Sequence, residues 1–362
     1  MDCFLVLEDG AVFRGRSFGA KKSVFGEIVF NTGMTGYQES LTDPSYRGQI
    51  LTMSYPMIGN YGVNKSDYQS DNVHVRAFVV KEMCEHPSHR ACTETLHDYL
   101  KRHEVPGIYG VDTRALITRI REHGTMRAAL TYDADHTELV EKLKKMDYPS
   151  SGNLVAEVSC GSITHHKGGS ERHVVLIDAG MKLNILRELV KRYTVTVVPY
   201  NTSSDDILKL KPDALFISNG PGDPAHPEIM ATTVRTIKEL SGELPIMGIC
   251  LGHQLLGLAF GAKTFKLKFG HRGANQPVGM DGKVWITSQN HGYAVDAESL
   301  GKTGLRVTLL NQNDWTVEGM KHTELPIFSV QFHPEANPGP RDTSFLFDEL
   351  GKLMEGRNAK ER

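Results

Sequence analysis

Residues 245–260, PIMGICLGHQLLGLAF, pass from a short apolar run into a helical pattern at a single cysteine. The apolar run is typical of a buried strand, and the sequence after the cysteine is typical of a helix. Gly248, Cys250 and Gly252 form a G-x-C-x-G sequence at the junction, the cysteine counterpart of a nucleophile elbow. Flanking glycines permit a sharp turn, and a helix N-terminus stabilises a thiolate. The stretch therefore predicts a reactive cysteine at the edge of a sheet.

The sequence around the elbow repeats this alternation of short apolar runs and helical patterns. Short buried strands that alternate with helices predict an α/β fold with a mostly parallel sheet covered on both faces. The other predicted strands are Val174–Ile177, Val195–Val198, Leu215–Ile217, Val284–Ile286, Val307–Leu310 and Ile327–Phe332, and a last helix is predicted at Thr343–Met354.

The sequence His333-Pro334-Glu335 lies at the end of the last predicted strand. A residue before proline is extended, and in an extended chain positions two apart point the same way. His333 is therefore expected to face the carboxyl edge of the sheet, with Glu335 close enough to orient its ring. A cysteine, a histidine and a carboxylate follow the logic of a catalytic triad. Two alternatives stay open, an inert buried cysteine and a surface loop that carries a histidine and a glutamate by chance.

The loop SNGPGDP, residues 218–224, follows the predicted strand Leu215–Ile217 and so lies at the same edge. Its glycines, Gly220 and Gly222, leave backbone amides accessible to an oxyanion or a substrate. Gln254 is four residues after Cys250, on the same face of the helix, where it can reach a bound amino acid. The alternatives are an ordinary Gly/Pro turn and a solvated side chain.

The first 160 residues have a different pattern, with strands first and helices later, which predicts an α+β domain. An Asp9-Gly10 turn between two apolar segments predicts a β-hairpin, and Asp112 is the predicted N-cap of a helix that ends before Gly124. Residues 161–172 are polar, rich in Gly and Ser and without apolar periodicity. We therefore expect an N-terminal domain at 1–160, a linker at 161–172 and a second domain at 173–362.

Composition excludes several classes of protein. The 362 residues carry a formal net charge of −2, which gives no general attraction to nucleic acid or membranes. No apolar run approaches the ~18 residues of a membrane helix, and the N-terminus does not resemble a signal peptide. Five scattered cysteines argue against a disulfide framework, so a cytoplasmic protein is expected. Gly301-Lys302-Thr303 lacks the first glycine of a P-loop. We expect no metal and no cofactor in this chain.

Three of these motifs resemble the class I glutamine amidotransferases: GICLGHQLL at 248–256, SNGPGDP at 218–224 and FHPE at 332–335. That family places its histidine and glutamate some eighty residues after its cysteine, and here 333 − 250 = 83. The resemblance implies a flavodoxin-like glutaminase domain with Cys250, His333 and Glu335 as the catalytic residues.

Further segments resemble the small subunits of carbamoyl-phosphate synthetases: NTGMTGY at 31–37, LTDPSY at 41–46, SYPMIGNYGV at 54–63, GVDTRALITRIREHG at 110–124 and SQNHGY at 288–293. Tyr293 stands where family members often have Phe. The resemblance implies that the chain hydrolyses L-glutamine through a Cys250 thioester. The implied glutamine contacts are Ser45, Gly220, Gly222, Leu251, Gln254, Asn290, Gly292 and Tyr293.

This resemblance also implies a partner. The ammonia would pass to a large synthetase subunit that uses ATP and Mg, in a heterodimer or a higher oligomer, for arginine and pyrimidine synthesis. Two alternatives are the glutaminase subunit of another amidotransferase and a non-catalytic, glutamine-binding regulatory subunit.

Overall fold

The computed structural model of the chain describes residues 1–360. It divides into two compact units, Met1–Gly152 and a second that begins at Asn153. Among residues 1–360, every helix is too short or too polar to cross a membrane.

The N-terminal unit contains a closed β-barrel with the strand order β1-β2-β8-β6-β4-β3-β9. Closure leaves no unpaired sheet edge in the barrel. A separate pair, β5 and β7, is parallel. The strands are β1 (Asp2–Leu7), β2 (Val12–Gly19), β3 (Val24–Asn31), β4 (Gln49–Met53), β5 (Met57–Ile58), β6 (Ala77–Val79), β7 (Glu82–Met83), β8 (Pro106–Tyr109) and β9 (Met126–Thr131).

The predicted hairpin is confirmed, because β1 and β2 pair antiparallel around Asp9 and Gly10. Gly10 has φ +89°, a conformation that suits glycine, and the Asp9 carboxylate accepts the Ala11 N–H. The four helices of this unit are α1 (Tyr37–Thr42), α2 (Leu96–Arg102), α3 (Thr113–His123) and α4 (Thr137–Lys145).

Helix α3 begins and ends where the sequence predicts. The Asp112 carboxylate caps it by accepting the Ala115 N–H, and Gly124 follows its last residue with φ +94°. The expectation of strands first and helices later is wrong, however. Strands β8 and β9 lie between helices along the chain, because each completes the barrel by pairing with strands near the N-terminus.

The C-terminal unit is built on a ten-stranded sheet with the order β10-β12-β11-β13-β14-β19-β18-β17-β15-β16. The strands are β10 (Thr164–His166), β11 (His173–Asp178), β12 (Thr194–Pro199), β13 (Ala214–Ile217), β14 (Ile246–Ile249), β15 (Thr264–Met280), β16 (Lys283–Val295), β17 (Leu305–Asn311), β18 (Val317–His322) and β19 (Ile327–Val330).

Five of these strands, β12-β11-β13-β14-β19, run parallel and have the 2-1-3-4-5 order of a flavodoxin-like fold. This confirms the predicted α/β class. The strands β18, β17, β15 and β16 extend the sheet in antiparallel pairs. The sheet therefore has a parallel half and an antiparallel half, and these two names are kept below.

Helices cover both faces of the parallel half because alternate strand residues point to opposite faces. Val175 and Ile177 pack in one core with helices α6 to α9, whereas Val174 and Leu176 pack in a second core with α5 and α10. The helices are α5 (Leu183–Val190), α6 (Ser204–Lys209), α7 (Pro227–Ile229), α8 (Arg235–Leu240), α9 (Leu251–Ala259) and α10 (Leu346–Lys360), with a π-helical turn at Met230–Val234 between α7 and α8.

The predicted linker at 161–172 needs correction. The structure places the boundary between the units at residues 152 and 153, eight residues before the predicted end of the first domain. Within the predicted linker, β10 pairs antiparallel with β12. His165 Nδ1 lies 2.9 Å from Thr196 Oγ1, and Ser170 Oγ donates to the Arg192 oxygen at 2.7 Å. Backbone pairing and polar contacts hold this segment, and apolar periodicity detects neither.

Candidate active site

Cys250 occupies a strained turn between β14 and α9. Its backbone has φ 54° and ψ −104°, a conformation that residues with a Cβ rarely adopt. A Cβ on Gly248 would lie 2.6 Å from the Gly252 carbonyl carbon, and one on Gly252 would lie 2.4 Å from the Ile217 oxygen. Both glycines are therefore required by close packing, and the predicted elbow is confirmed.

The Cys250 side chain is almost completely buried at the start of α9. Its Sγ lies 3.7 Å from the Asn290 carbonyl oxygen, on β16. The partial positive charge of the helix N-terminus favours a thiolate here. By contrast, burial raises the pKa of the Cys3 and Cys160 thiols to about 11, so these two stay protonated at neutral pH.

Strand topology brings His333 to the same edge of the sheet as Cys250. Strands β14 and β19 are parallel neighbours, with Ile249 opposite Val330. Cys250 follows β14 directly, and its N–H donates to the Val330 oxygen at 2.9 Å. His333 is three residues beyond Val330, where its N–H donates to the Ser288 oxygen at 2.8 Å. Both side chains therefore belong to the carboxyl edge, where open α/β sheets place their sites.

Glu335 orients His333 as the sequence predicts. Glu335 Oε1 lies 2.6 Å from His333 Nδ1, and both side chains are buried. Because a carboxylate accepts, Nδ1 carries the proton and Nε2 keeps a free lone pair. Nε2 makes no hydrogen bond within residues 1–360. The histidine is therefore in the tautomer that a general base needs.

Lys182 is a member of the site that the sequence analysis missed. Its Nζ lies 3.0 Å from Glu335 Oε1 and 2.6 Å from the Ala336 oxygen, and the side chain is 2% exposed. Burial would raise the pKa of Glu335, but Lys182 and His333 together lower it to about 2. Its position could have indicated this role, because it lies four residues after the end of β11, at the same carboxyl edge of the sheet.

The glycine-rich loop after β13 contacts the elbow. A Cβ on Gly220 would lie 2.0 Å from the Ala179 oxygen and 2.8 Å from Leu251 Cδ2, so only glycine fits. The Gly252 N–H donates to the Ser218 oxygen at 3.0 Å. Gly222 has φ +91°, which again suits glycine. The structure thus brings the predicted loop against the first turn of α9.

Other predicted glutamine contacts lie on β16 next to the elbow. Gln254 Nε2 donates to the Tyr293 oxygen at 2.8 Å and to Gln331 Oε1 at 2.9 Å. Arg272 Nη2 is the nearest group to a Cβ built on Gly292, at 3.3 Å. Gln254, Asn290, Gly292 and Tyr293 therefore form one neighbourhood with Cys250, and their contacts with glutamine remain predictions.

Ser45 belongs to the N-terminal unit. It lies in the 3₁₀ turn Pro44–Tyr46, and its N–H donates to Asp43 Oδ1 at 2.9 Å. Its predicted role in binding glutamine remains a prediction.

Comparison with known families agrees with this geometry. The family model "Glutamine amidotransferase class-I" matches residues 175–353, and "Carbamoyl-phosphate synthase small chain, CPSase domain" matches residues 5–130. The chain belongs to the carbamoyl-phosphate synthase small chain family. Proteins of that name from Archaeoglobus fulgidus and Methanocaldococcus jannaschii are 51% and 50% identical to it. Each alignment covers 98% of this chain and 99% of the relative.

Proposed function

We propose that the chain hydrolyses L-glutamine to glutamate and ammonia as the small subunit of a carbamoyl-phosphate synthase. The observation that carries this proposal is the strained Cys250 elbow beside the His333–Glu335 pair, on neighbouring parallel strands. A nucleophile, a general base and an orienting carboxylate at one sheet edge suit acyl transfer from an amide.

The first half of the reaction forms a thioester. His333 Nε2 takes the Cys250 proton, and the thiolate attacks the carboxamide carbon of glutamine. The oxyanion that forms accepts hydrogen bonds from the Leu251 and Gly222 N–H groups. The imidazolium then returns its proton to the amide nitrogen, the C–N bond breaks, and ammonia leaves. The γ-glutamyl group remains on Sγ.

The second half hydrolyses the thioester. His333 Nε2 takes a proton from water, whose oxygen attacks the same carbonyl carbon. The C–S bond breaks, the imidazolium returns its proton to Cys250 Sγ, and glutamate is released. Glu335 stabilises the imidazolium in both halves through Nδ1. Lys182 stabilises the buried carboxylate, so Glu335 stays ionised throughout the cycle.

The proposal includes a large subunit that binds ATP and Mg and consumes the ammonia. The family name and the names of the relatives support a small chain that acts with a larger one. Because ammonia is mostly protonated in neutral water, it should pass between the subunits without release. We propose a heterodimer, or a higher oligomer built from it, in the cytoplasm. The five free cysteines, Cys250 among them, favour a reducing compartment.

Two other functions have less support. A glutaminase for a different synthetase would not explain the carbamoyl-phosphate synthase model that matches residues 5–130. A non-catalytic glutamine-binding subunit would not need the strained Cys250 or the ionised, buried Glu335.

The direct test is Cys250→Ser in the complex with the large subunit. Glutamine-dependent synthesis should fall by about 10³-fold or more because a hydroxyl is a much weaker nucleophile at this position. Synthesis from added ammonia should persist, since the partner's chemistry is untouched. Cys160→Ser is the matched control and should keep both activities. Parent-like glutamine-dependent rates in Cys250→Ser would overturn the proposal.

A further inference from the structure

A cluster of buried ionisable groups lies within the antiparallel half, next to the segment predicted to contact glutamine. His271 and His291 are opposite each other on β15 and β16, with ring centroids 5.0 Å apart. Glu318, on β18, has no exposed surface, and its Oε1 lies 3.7 Å from His271 Nδ1 and 3.9 Å from His291 Nε2. The catalytic steps above use none of these three side chains.

Within the cluster, His271 lies between two acidic side chains. His271 Nε2 lies 2.8 Å from Asp314 Oδ2, and Nδ1 faces Glu318. Burial lowers the pKa of His271, but the two carboxylates outweigh that effect and raise it to about 9. Asp314 and Glu318 therefore favour the imidazolium form of His271, although burial raises the pKa of Glu318 itself. Glu318 and Asp314 are the acidic groups that face it, and His291 is the neighbouring base.

His271, His291 and Glu318 could also present ligand atoms to a metal ion, since these atoms lie within 4.8 Å of one another. The orientation of Asn311 argues against a metal. Its Oδ1 accepts the Asn313 N–H at 2.9 Å, which leaves Nδ2 to donate to Glu318 Oε1 at 3.1 Å. An amide NH₂ aimed at the carboxylate supplies a donor where a metal would need an acceptor. The protonated His271 takes the place of the cation.

The cluster reaches the glutamine site through one carbonyl oxygen. His291 Nδ1 lies 2.8 Å from the Tyr293 oxygen and must donate to it, because a carbonyl only accepts. Gln254 Nε2 donates to the same oxygen at 2.8 Å. Asn290, whose own oxygen lies next to Cys250 Sγ, is adjacent to His291 in the chain. Two hydrogen bonds to the Tyr293 oxygen, one from His291 and one from Gln254, therefore hold the conformation of residues 290–293.

We propose that Glu318 is a positioning residue for glutamine binding. Its carboxylate pairs with His271, whose ring packs edge-on against His291, so that His291 keeps the Tyr293 carbonyl and the segment Asn290–Tyr293 in the conformation that receives glutamine. The inference rests on the proposed function for the identity of the ligand. Because Glu318 contacts His271 and Asn311 and touches neither Cys250 nor His333 directly, it should affect the KM for glutamine more than kcat.

The experiment compares Glu318→Ala and Glu318→Gln in the complex with the large subunit. Glu318→Ala should raise the KM for glutamine about tenfold, the size expected when a buried polar contact is lost, with kcat within about threefold of the parent. Glu318→Gln retains the shape and one acceptor and should recover part of the lost affinity. Glu324→Gln changes an exposed glutamate in the same unit and should leave both constants unchanged.

Ammonia-dependent synthesis and the thermal midpoint report on folding. An unchanged KM in a folded Glu318→Ala complex would overturn the inference and leave the proposed function intact. An equal loss of kcat, ammonia-dependent synthesis and stability would also overturn it, because that pattern means a general structural role. A parent complex without glutaminase activity would overturn the proposed function and this inference together.

Discussion

The two halves of the C-terminal sheet contribute to the site in different ways. In the parallel half, Cys250 and Lys182 each follow the carboxyl end of a strand, and His333 lies just beyond another, so topology alone gathers the reacting groups at one edge. In the antiparallel half, Asn290 and Tyr293 lie within a 13-residue strand whose position depends on pairing and on buried side chains. Strand ends therefore position the proposed catalytic groups, whereas strand register positions the proposed glutamine contacts.

The largest effect after loss of the nucleophile is expected at His333, in the parallel half. His333→Asn removes the group that transfers protons in both halves of the reaction, and such a group typically contributes about 10²–10⁴ in rate. Glutamine-dependent kcat should fall by that factor, and Glu335→Ala should have a milder effect. Steady-state glutamate production measures both. A His333→Asn rate within twofold of the parent would remove histidine from the mechanism.

Lys182 tests whether the parallel half depends on a buried ion pair. Lys182→Met leaves the Glu335 carboxylate buried with His333 as its remaining ionisable partner, and removing one member of a buried pair costs about 3–5 kcal/mol of unfolding free energy. Lys352→Met is the matched control, because its pair with Glu349 is exposed and should contribute nothing measurable. Chemical denaturation of both variants provides the comparison, and equal stabilities would contradict it.

The same pair predicts a dependence of stability on pH. The pKa of Glu335 is lowered from 4.5 to about 2, so the stabilisation is fully present above pH ~4.5 and is lost as the pH falls toward 2. Lys182→Met removes the largest force that lowers this pKa, so the variant should have less stabilisation to lose as the pH falls. Thermal midpoints measured from pH 3 to 7 should show the gap between the parent and the variant narrowing as the pH falls below ~4.5. Parallel curves would show that Lys182 does not hold Glu335 ionised.

The smallest effect is expected at Asp314, in the antiparallel half. Asp314→Asn should destabilise the protein by less than about 1 kcal/mol, because its side chain is 40% exposed and solvent screens the pair with His271. The raised pKa of His271 means that its contribution is complete below pH ~6.5 and is lost as the pH rises through 9. In Asp314→Asn this loss should occur at a lower pH, which thermal midpoints from pH 6 to 10 measure.

The sequence predicts the features of the parallel half better than those of the antiparallel half. Strands β11, β13 and β14 are short apolar runs, and the elbow, the glycine loop and His333-Pro334-Glu335 come directly after such runs. Each of these features depends on neighbours in sequence, so periodicity and local turn chemistry suffice to place it.

Features that depend on distant pairing were missed or misjudged. The 17-residue strand β15 contains glycines, charges and register shifts, so it has no clean alternation. Lys182 resembles an ordinary solvated lysine until the fold places it against Glu335. Glu318 lies within β18, where a charged residue suggests a solvent-facing position, although the structure buries it completely.

The most direct test of Cys250 as the nucleophile is covalent labelling with a glutamine analogue that carries an electrophile on the side chain. We expect a single labelled peptide that contains Cys250, because this cysteine alone combines the helix N-terminus with the His333–Glu335 pair. Glutamine should protect it, and Cys3 and Cys160, whose thiols burial keeps protonated, should stay unmodified. Labelling at any other cysteine, with Cys250 unmodified, would contradict the assignment of the nucleophile.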